Sequence, residues 1–287
     1  MQTQPIARHS DTLIRLGHSP DSDDAFMFYG LASGKVEAPG VRFRHILRDI
    51  QTLNDWARDG LLECTAISVH AYSYVAERYA ILTHGASMGD GYGPIVVARD
   101  PMIPEQLANV RIAVPGLLTS AFLALSLYLP HEFQYAVVPF DKIMEAVRDG
   151  EADAGLVIHE GQLTHMSMGL YNLVDLGKWW KDETGLPLPL GVNGIRKDLD
   201  PELQVEVSKA LRNSILYGLE HRATALRHAL SFARDMDEET ADSFVGMYVN
   251  NWTVEMGEAG RRSIELFLQR GAERKLCPSL EAIQFVE

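Results

Sequence analysis

The stretch Gly155-Leu156-Val157-Ile158-His159-Glu160 carries the clearest fold signal in the chain. Three consecutive aliphatic residues, two of them β-branched, predict a short strand that is buried on both faces. An ionisable pair, His159 and Glu160, ends this strand. Because ligands of open α/β sheets bind beyond the carboxyl ends of the strands, the same stretch predicts the position of a binding site.

His159 has two interpretations from sequence alone. An imidazole at a strand end can reach a ligand and can change its protonation state near neutral pH. The alternative is a histidine that is satisfied by a local hydrogen bond and touches no ligand. Glu160 also has two interpretations. Its carboxylate either orients the imidazole and raises its basicity or is exposed and solvated.

A similar pattern lies 90 residues earlier in the chain. The two copies are Arg58-Asp59-Gly60 with Glu63 and the strand Thr65 to Val69, and Arg148-Asp149-Gly150 with Asp153 and the strand Gly155 to Ile158. Each copy predicts a helix that stops at a glycine, then an acidic residue and a buried strand. The repeat predicts two α/β lobes in which Ser68 and His159 lie at nearly equivalent strand ends and face each other across a cleft.

The order of the remaining strands and helices predicts how the lobes are connected. Prolines at 101 and 104 mark a first crossing, and the segment Leu186 to Ile195 is expected to return to the first lobe. We therefore predict a discontinuous lobe one, 1–99 plus 193–287, and a lobe two formed by 100–192. From Pro201 the pattern is helical to about Arg270.

Three loops carry polar or flexible groups at predicted strand ends. Residues 19–24, Ser-Pro-Asp-Ser-Asp-Asp, form an acidic loop in which Asp23 or Asp24 is expected to cap the helix that follows. Residues 85–93 contain four glycines, which permit close approach to a ligand, although the motif lacks the features of a phosphate loop. Thr119 and Ser120 begin a helix after a glycine turn, so they either bind a carboxylate together with backbone N–H groups or merely cap that helix.

Composition limits the classes of partner. Asp and Glu total 39 against 26 Lys and Arg, giving a formal net charge of −13. Nucleic acid and anionic membranes require a basic surface, so neither is expected as a partner. A small anionic substrate remains compatible with this charge, because a few local donors can bind it.

The location is predicted from three absences. No apolar run approaches the roughly 20 residues that span a bilayer, and Met1 to Asp11 lacks the apolar core of a secretory signal. The two cysteines, Cys64 and Cys277, are far apart in sequence and are expected to be reduced thiols. These features predict a cytoplasmic protein.

Metal chemistry is not expected. His159, Glu160 and His165 lack the spacing of a helical zinc site, and residues 21–24 are not a calcium loop. The other histidines near predicted strand ends are expected to be structural: His18, His70 and His84. Trp179 and Trp180 either stack on a substrate ring or pack in a core or hinge.

Several segments together resemble one enzyme family. They are Ser19-Pro20 with Asp24 to Tyr29, Thr52 to Ala57, Gly85-Ala86 with Gly93-Pro94, Val114-Pro115-Gly116 with Thr119-Ser120, Ile158-His159-Glu160, and Val174 to Trp180 with Thr184 to Gly191. The last segment is long and specific, whereas each of the others alone is weak. Over nearly the whole chain, this pattern resembles the 1,4-dihydroxy-6-naphthoate synthases of the futalosine route to menaquinone.

The resemblance implies a fold and a reaction. The fold would be α/β, bilobal and periplasmic-binding-protein-like (type II), with two α/β lobes, a double crossover and a C-terminal helical segment. The reaction would be a carbon–carbon lyase step that opens cyclic dehypoxanthine futalosine, releases a sugar-derived fragment and leaves 1,4-dihydroxy-6-naphthoate. No cofactor would be needed, and the partner would be a small aromatic carboxylate.

The resemblance also implies roles for individual residues. His159 would be the proton acceptor, since it falls in the Ile-His-Glu motif. Substrate contacts would come from Ala66, Ile67 and Ser68 and from Thr119 and Ser120. Two residues of the acidic loop complete the predicted binding set: Ser19 and Asp24.

Two departures from the family pattern bear on the substrate. The family has Cys-Pro-Asn-Asp-Thr where this chain has Asp21 to Ala25, and a lysine where this chain has Ala66. Asp23 in place of asparagine exchanges a donor and acceptor for an acceptor only. The missing lysine removes a cation that would pair with anionic groups of the substrate.

Two other functions are compatible with the sequence. Chorismate dehydratase, a sibling family with the same fold, is one, and a cytoplasmic protein that binds a small acid without chemistry is the other. The apolar helical surface after residue 240 is compatible with a homodimer.

Overall fold

Residues 11–232 and 237–287 are described by the computed structural model, in which two β-sheets are flanked by helices. Residues 1–10 of the polar N-terminal stretch therefore lie outside the described residues. Residues 233–236 of the C-terminal helical segment lie outside them as well. Every helix of the described residues is too short or too polar to cross a bilayer.

The described residues contain twelve strands: β1 Thr12–His18, β2 Val41–Leu47, β3 Cys64–Ser68, β4 Tyr79–Leu82, β5 Ser87–Gly89, β6 Ile95–Ala98, β7 Arg111–Val114, β8 Gln134–Val137, β9 Ala154–Val157, β10 Tyr171–Asp175, β11 Leu188–Arg196 and β12 Phe285–Val286. They also contain thirteen α-helices: α1 Ser22–Met27, α2 Tyr29–Ala32, α3 Ile50–Arg58, α4 Val69–Val75, α5 Ser120–Tyr128, α6 Ile143–Arg148, α7 Gly161–Thr164, α8 Leu176–Thr184, α9 Pro201–Glu220, α10 Arg222–Leu230, α11 Glu238–Tyr248, α12 Asn251–Val254 and α13 Gly257–Glu273.

The two sheets have the same strand arrangement. In the first sheet the order is β12-β4-β11-β3-β1-β2, with β5 also paired to β11, and in the second it is β10-β6-β9-β7-β8. Strands β1 and β7 occupy equivalent places, and each is parallel to both of its neighbours. Strands β11 and β6 are also equivalent: β11 runs antiparallel to β3, and β6 runs antiparallel to β9. The sequence repeat therefore corresponds to a structural one, with β3 and β9 at equivalent places.

The same kind of glycine turn precedes β3 and β9. Helices α3 and α6 end at Arg58 and Arg148, and the glycines at 60 and 150 adopt φ values of +67° and +83°. A side chain is disfavoured in this left-handed region, which explains why a glycine stands at both positions.

Strand β9 is buried on both faces, as its sequence predicts. All four of its residues are buried, and its side chains alternate between two apolar clusters. Leu156 packs into the largest cluster, between the two sheets and α13, while Val157 packs with Ile143 and Val147 of α6. The predicted strand therefore ends one residue earlier than expected, at Val157.

The crossings between the sheets lie elsewhere than the sequence indicates. Strand β6 pairs with β9 and β10 in the second sheet, although lobe one was expected to extend to residue 99. Strand β11 begins at Leu188 in the first sheet, inside the predicted lobe two. The break at Pro101 follows β6, so the chain crosses between β5 and β6, within residues 90–94, instead.

The first helix also differs from its prediction. Helix α1 begins at Ser22, with Asp21 at the capping position, and the chain departs from the α-helix at Phe28 before α2 begins. Asp24 does not cap a helix, because it accepts the backbone N–H of Ser19 (2.6 Å). Asp200 and Asp237 do cap helices, because their side chains accept N–H groups at the starts of α9 and α11.

Candidate active site

A cavity of about 140 Å³ lies where the carboxyl ends of β1, β3, β7 and β9 converge. This position follows the general rule for ligands of α/β sheets. Its polar lining comes from the segments that follow β1 and β7, from strands β3, β5 and β11 and from α11, and apolar side chains complete the lining. The lining residues include Ser19, Asp21, Asp23, Asp24, Met27, Ile50, Ala66, Ser68, Thr119, Ser120, Ala121, Ile158, Leu190, Val192, Asn193, Phe244 and Tyr248.

One side of the cavity, which we name the acidic wall, consists of Asp21, Asp23 and Asp24. The Ser19 hydroxyl donates to Asp21 Oδ2 (2.5 Å), so Ser19 connects two members of the wall through its hydroxyl and its backbone N–H. Burial and the charge of Asp21 raise the pKa of Asp23 to about 7, and Glu160 adds to this effect. Burial and Asp23 also raise the pKa of Asp24 well above its usual range.

A second part of the cavity, which we name the donor side, carries hydrogen-bond donors and begins with Ser68, at the end of β3. Asn54 of α3 holds this residue, since the Ser68 N–H donates to Asn54 Oδ1 (2.9 Å) and Asn54 Nδ2 donates to Ser68 Oγ (3.0 Å). The hydroxyl oxygen thus accepts from the protein, and its hydrogen is left for a ligand. Asn54 lies in the family segment Thr52 to Ala57, but no role was predicted for it, because an amide on a buried helix face has no distinctive spacing.

The three predicted contacts 66–68 separate on the two faces of β3. Ala66 and Ser68 line the cavity, whereas Ile67 is fully buried in the largest apolar cluster. This separation follows from the alternation of side chains along a strand.

The second part of the donor side is the start of α5. Thr119 accepts the N–H of Phe122 (3.2 Å) and donates to the Gly116 carbonyl (2.8 Å), so its hydroxyl caps the helix. The Ser120 hydroxyl donates to the Leu190 carbonyl (2.5 Å) and accepts the His70 N–H (3.2 Å). Both hydroxyls therefore serve the protein, and the donors that a helix start offers a ligand are backbone N–H groups such as that of Ala121.

His159 is buried beside the cavity, and its neighbour Ile158 contributes to the lining. Its Nδ1 accepts the N–H of Gly161 (3.0 Å), so Nε2 carries the hydrogen and donates to the Phe140 carbonyl (3.0 Å). Of the two interpretations of His159, this geometry matches the one in which the ring is satisfied by local hydrogen bonds. Glu160 is also buried, with Oε2 3.7 Å from His159 Nδ1, so the exposed interpretation of Glu160 is wrong.

Two further polar residues at the cavity were not predicted. Asn193 of β11 donates through Nδ2 to the Gly85 carbonyl (3.0 Å), and its Oδ1 has no hydrogen-bond partner among the described residues. The Tyr248 hydroxyl donates to Gln162 Oε1 (2.7 Å), and burial raises the pKa of this tyrosine. Asn193 lies two residues after the family segment Thr184 to Gly191, whereas Tyr248 is distant in sequence from every family motif.

The remaining candidate residues have partners elsewhere in the protein. The His18 ring contacts the Ser19 carbonyl and the His45 ring. The His70 ring contacts the Thr119 carbonyl, and the His84 ring contacts the Val254 carbonyl. Trp180 is fully buried against Phe267, consistent with core packing. Within the described residues, no three His, Cys, Asp or Glu side chains are placed to hold a metal ion.

Solved structures define the class of fold. The alkanesulfonate-binding protein of Xanthomonas axonopodis pv. citri matches with a TM-score of 0.70 at 10% identity, covering 96% of each chain. Because the identity is low, this match concerns the fold alone. It confirms the predicted periplasmic-binding-protein-like fold.

The chain belongs to the menaquinone biosynthesis family, whose model matches residues 14–273. The 1,4-dihydroxy-6-naphthoate synthase of Thermus thermophilus is 42% identical over 267 residues, covering 93% of this chain and 97% of that protein. The Streptomyces coelicolor enzyme of the same name is 35% identical over 277 residues, covering 94% and 96%. A crystal structure from Archaeoglobus fulgidus, 44% identical, has a TM-score of 0.89 and covers 93% and 100%. The predicted family and enzyme class are therefore confirmed.

Proposed function

We propose that this chain converts cyclic dehypoxanthine futalosine to 1,4-dihydroxy-6-naphthoate. The observation that supports this most directly is the cavity at the four strand ends, since it combines donors for a carboxylate with apolar side chains for a ring. Its two relatives from Thermus thermophilus and Streptomyces coelicolor carry the name of this activity.

The substrate carboxylate is proposed to bind at the start of α5 and at Ser68. Backbone N–H groups at a helix start and the helix dipole favour an anion, and the Ser68 hydroxyl adds one donor. Among the described residues, no lysine or arginine lines the cavity, so these neutral donors take the place of the missing cation. Apolar side chains between the two sides of the cavity provide contacts for the ring: Met27, Ile50, Ile158, Leu190, Val192 and Phe244.

The carbon–carbon cleavage needs a group that accepts and returns a proton. A substrate hydroxyl loses its proton and becomes a carbonyl, and the adjacent carbon–carbon bond breaks. The bonding electron pair moves to a ring carbonyl, which becomes an aromatic hydroxyl after taking up a proton. Electrons and protons balance, so the step itself requires no oxidant or reductant.

We propose His159 as this proton acceptor, with a condition set by its hydrogen bonds. The lone pair of the neutral ring lies on Nδ1, which accepts the Gly161 N–H. Substrate binding must release Nδ1 from Gly161, or turn the ring, before it can accept a substrate proton. Catalytic hydrogen bonds often form only in the substrate complex, so this condition is compatible with the role.

The direct test is incubation of the purified chain with cyclic dehypoxanthine futalosine and detection of 1,4-dihydroxy-6-naphthoate by mass spectrometry. Chorismate serves as the second substrate in the same assay. Formation of the naphthoate supports the proposal, while dehydration of chorismate alone, or binding of either acid without turnover by folded protein, contradicts it. The cytoplasmic location and the homodimer stay predictions, and the elution volume in size-exclusion chromatography tests the latter.

A further inference from the structure

We propose that the acidic wall, together with Asn193, is a subsite for the hydroxyl groups of the sugar-derived part of the substrate, and that it sets the orientation of the bound substrate. This inference rests on the proposed function. The substrate would lie with its carboxylate at the start of α5 and its hydroxyl groups at Asp21, Asp23 and Asp24.

The acidic wall offers many acceptors and few donors. Each carboxylate has about four lone-pair positions. The Ser19 N–H occupies one acceptor position of Asp24, so a ligand hydroxyl can use the other positions of that carboxylate. Within the described residues, no lysine or arginine lines the cavity. A ligand with several hydroxyl donors matches this surface, whereas an anionic group is repelled by it.

Asn193 points to a ligand independently of the carboxylates. The residue is only 2% exposed, it lines the cavity, and its Oδ1 lacks a hydrogen-bond partner in the described part of the chain. A buried acceptor without a donor is unfavourable, and a substrate hydroxyl supplies the missing donor. The amide cannot turn over without losing a hydrogen bond, because Nδ2 donates to the Gly85 carbonyl.

Gly85 is the feature that allows this orientation of the amide. It adopts φ +81°, and a Cβ at this position would lie 2.2 Å from Asn193 Nδ2. A glycine is therefore required for the amide to approach the backbone here. The glycine-rich segment contributes to the subsite through Asn193.

The charges around Asp23 make ligand binding at the subsite depend on pH. The groups that act on its carboxyl come from its own loop, from the segment after β9 and from α11: Asp21, Asp24, Glu160 and Tyr248. The neighbouring cation on α10, Arg222, pairs with Asp242 and stacks on Phe26 of α1. Burial and negative neighbours raise the pKa of Asp23 to about 7, so the ionised form lacks stabilisation in the unliganded protein.

Hydroxyl donors stabilise the ionised carboxylate, so substrate binding and loss of a proton from the wall are coupled. The affinity for a polyhydroxylated ligand is therefore expected to rise as pH increases through about 7. Below that pH, binding must first remove a proton from the wall. The product 1,4-dihydroxy-6-naphthoate lacks the sugar-derived hydroxyl groups, so its affinity is expected to depend less on this proton.

The test compares two ligands on matched variants: Asp23→Asn, Asp23→Ala and Asn193→Leu. The ligands are cyclic dehypoxanthine futalosine and 1,4-dihydroxy-6-naphthoate, with Kd measured by calorimetry between pH 6 and pH 8. We expect Asp23→Ala and Asn193→Leu to raise the Kd of the substrate by about tenfold and the Kd of the product by less than about twofold. Asp23→Asn is nearly isosteric, and it is expected to remove much of the pH dependence while retaining most of the affinity at pH 8.

The control is Ser68→Ala, which removes a donor from the carboxylate side and is expected to weaken both ligands alike. Circular dichroism establishes that each variant is folded, and Asp23→Asn provides the measurement if the alanine variant is not. Equal weakening of substrate and product by the Asp23 and Asn193 variants, or no weakening of either ligand, would overturn the inference. A chain that binds the substrate through this wall without converting it contradicts the proposed function and supports the subsite.

Discussion

The loops after β1 and β7 occupy equivalent places in two sheets with the same strand order, yet they meet the cavity with opposite chemistry. The loop after β1 supplies the carboxylates of Asp21, Asp23 and Asp24. The loop after β7 supplies a helix start whose hydroxyls are used by the protein and whose backbone N–H groups face a ligand. The repeated topology therefore determines where the groups lie, and the loop residues determine whether acceptors or donors line the cavity there.

A second equivalent pair lies at the ends of β3 and β9. Ser68 and Ile158 are 90 residues apart, and both line the cavity, whereas His159, one residue further along, is hydrogen-bonded within its own lobe. Equivalent positions in the repeat therefore reach the same cavity, and the side chain present decides whether a polar or an apolar group lies there. Variants at matched positions can separate the roles of the two lobes.

The largest effect is expected for His159→Ala. If the ring accepts the substrate proton, kcat falls by about 10²–10⁴, while Kd for the naphthoate product changes little. Steady-state kinetics and product titration measure the two quantities. His159→Gln is the control for the hydrogen bond to Phe140. Retention of most of kcat in this glutamine variant would mean that His159 positions the loop and does not transfer the proton.

The structural repeat itself is tested at the two glycines that precede β3 and β9. Gly60→Ala and Gly150→Ala each place a side chain at positive φ, so each is expected to lower the free energy of unfolding by about 1–2 kcal/mol. Urea denaturation measures both variants. At position 150 the new Cβ also lies 2.7 Å from the end of the Arg99 side chain, which can move away. A large loss at only one of the two positions would contradict the equivalence.

Ser68→Ala addresses the donor side of the cavity. It removes a ligand donor and leaves the Asn54 amide without its acceptor, so KM is expected to rise several-fold, or about 1 kcal/mol. Initial rates over a range of substrate concentrations measure this change. The conservative control is Ser68→Thr, which keeps the hydroxyl. An unchanged KM in the alanine variant would exclude Ser68 from the carboxylate site.

The smallest effect is expected for Thr119→Ala. Its hydroxyl caps α5, so the free energy of unfolding should fall by about 0.5–1 kcal/mol. The effect on KM should be smaller than that of Ser68→Ala, because the capping hydroxyl is already occupied by the protein. Thermal denaturation alongside kinetics separates the two effects. A large rise in KM with full stability would indicate that the hydroxyl contacts the substrate after all.

Sequence patterns predicted two α/β lobes and the two strands of the repeat, because local apolar runs and glycine stops reflect local physics. The repeat located β3 and β9, each with bounds shifted by one residue. The short strands β5 and β12 were missed, since they depend on pairing with β11 and β4, which are distant in sequence. The crossings were displaced for the same reason.

The candidate site was predicted less completely than the fold. Five residues chosen from the sequence line one cavity: Ser19, Asp24, Ser68, Thr119 and Ser120. It did not reveal which hydrogen bonds their side chains make, because the acceptor of the Ser120 hydroxyl is the carbonyl of residue 190, 70 residues away. The raised pKa of Asp23 likewise depends on burial and neighbours that only the folded chain brings together.

The largest apolar cluster has a consequence for how the molecule responds to denaturants. It includes Ile67 and Tyr72 beside the first sheet, Val114 and Leu123 beside the second, and Phe267 of α13. Melting one half would therefore expose side chains that also stabilise the other half. The two halves should lose their structure together in a single cooperative transition, despite having separate sheets.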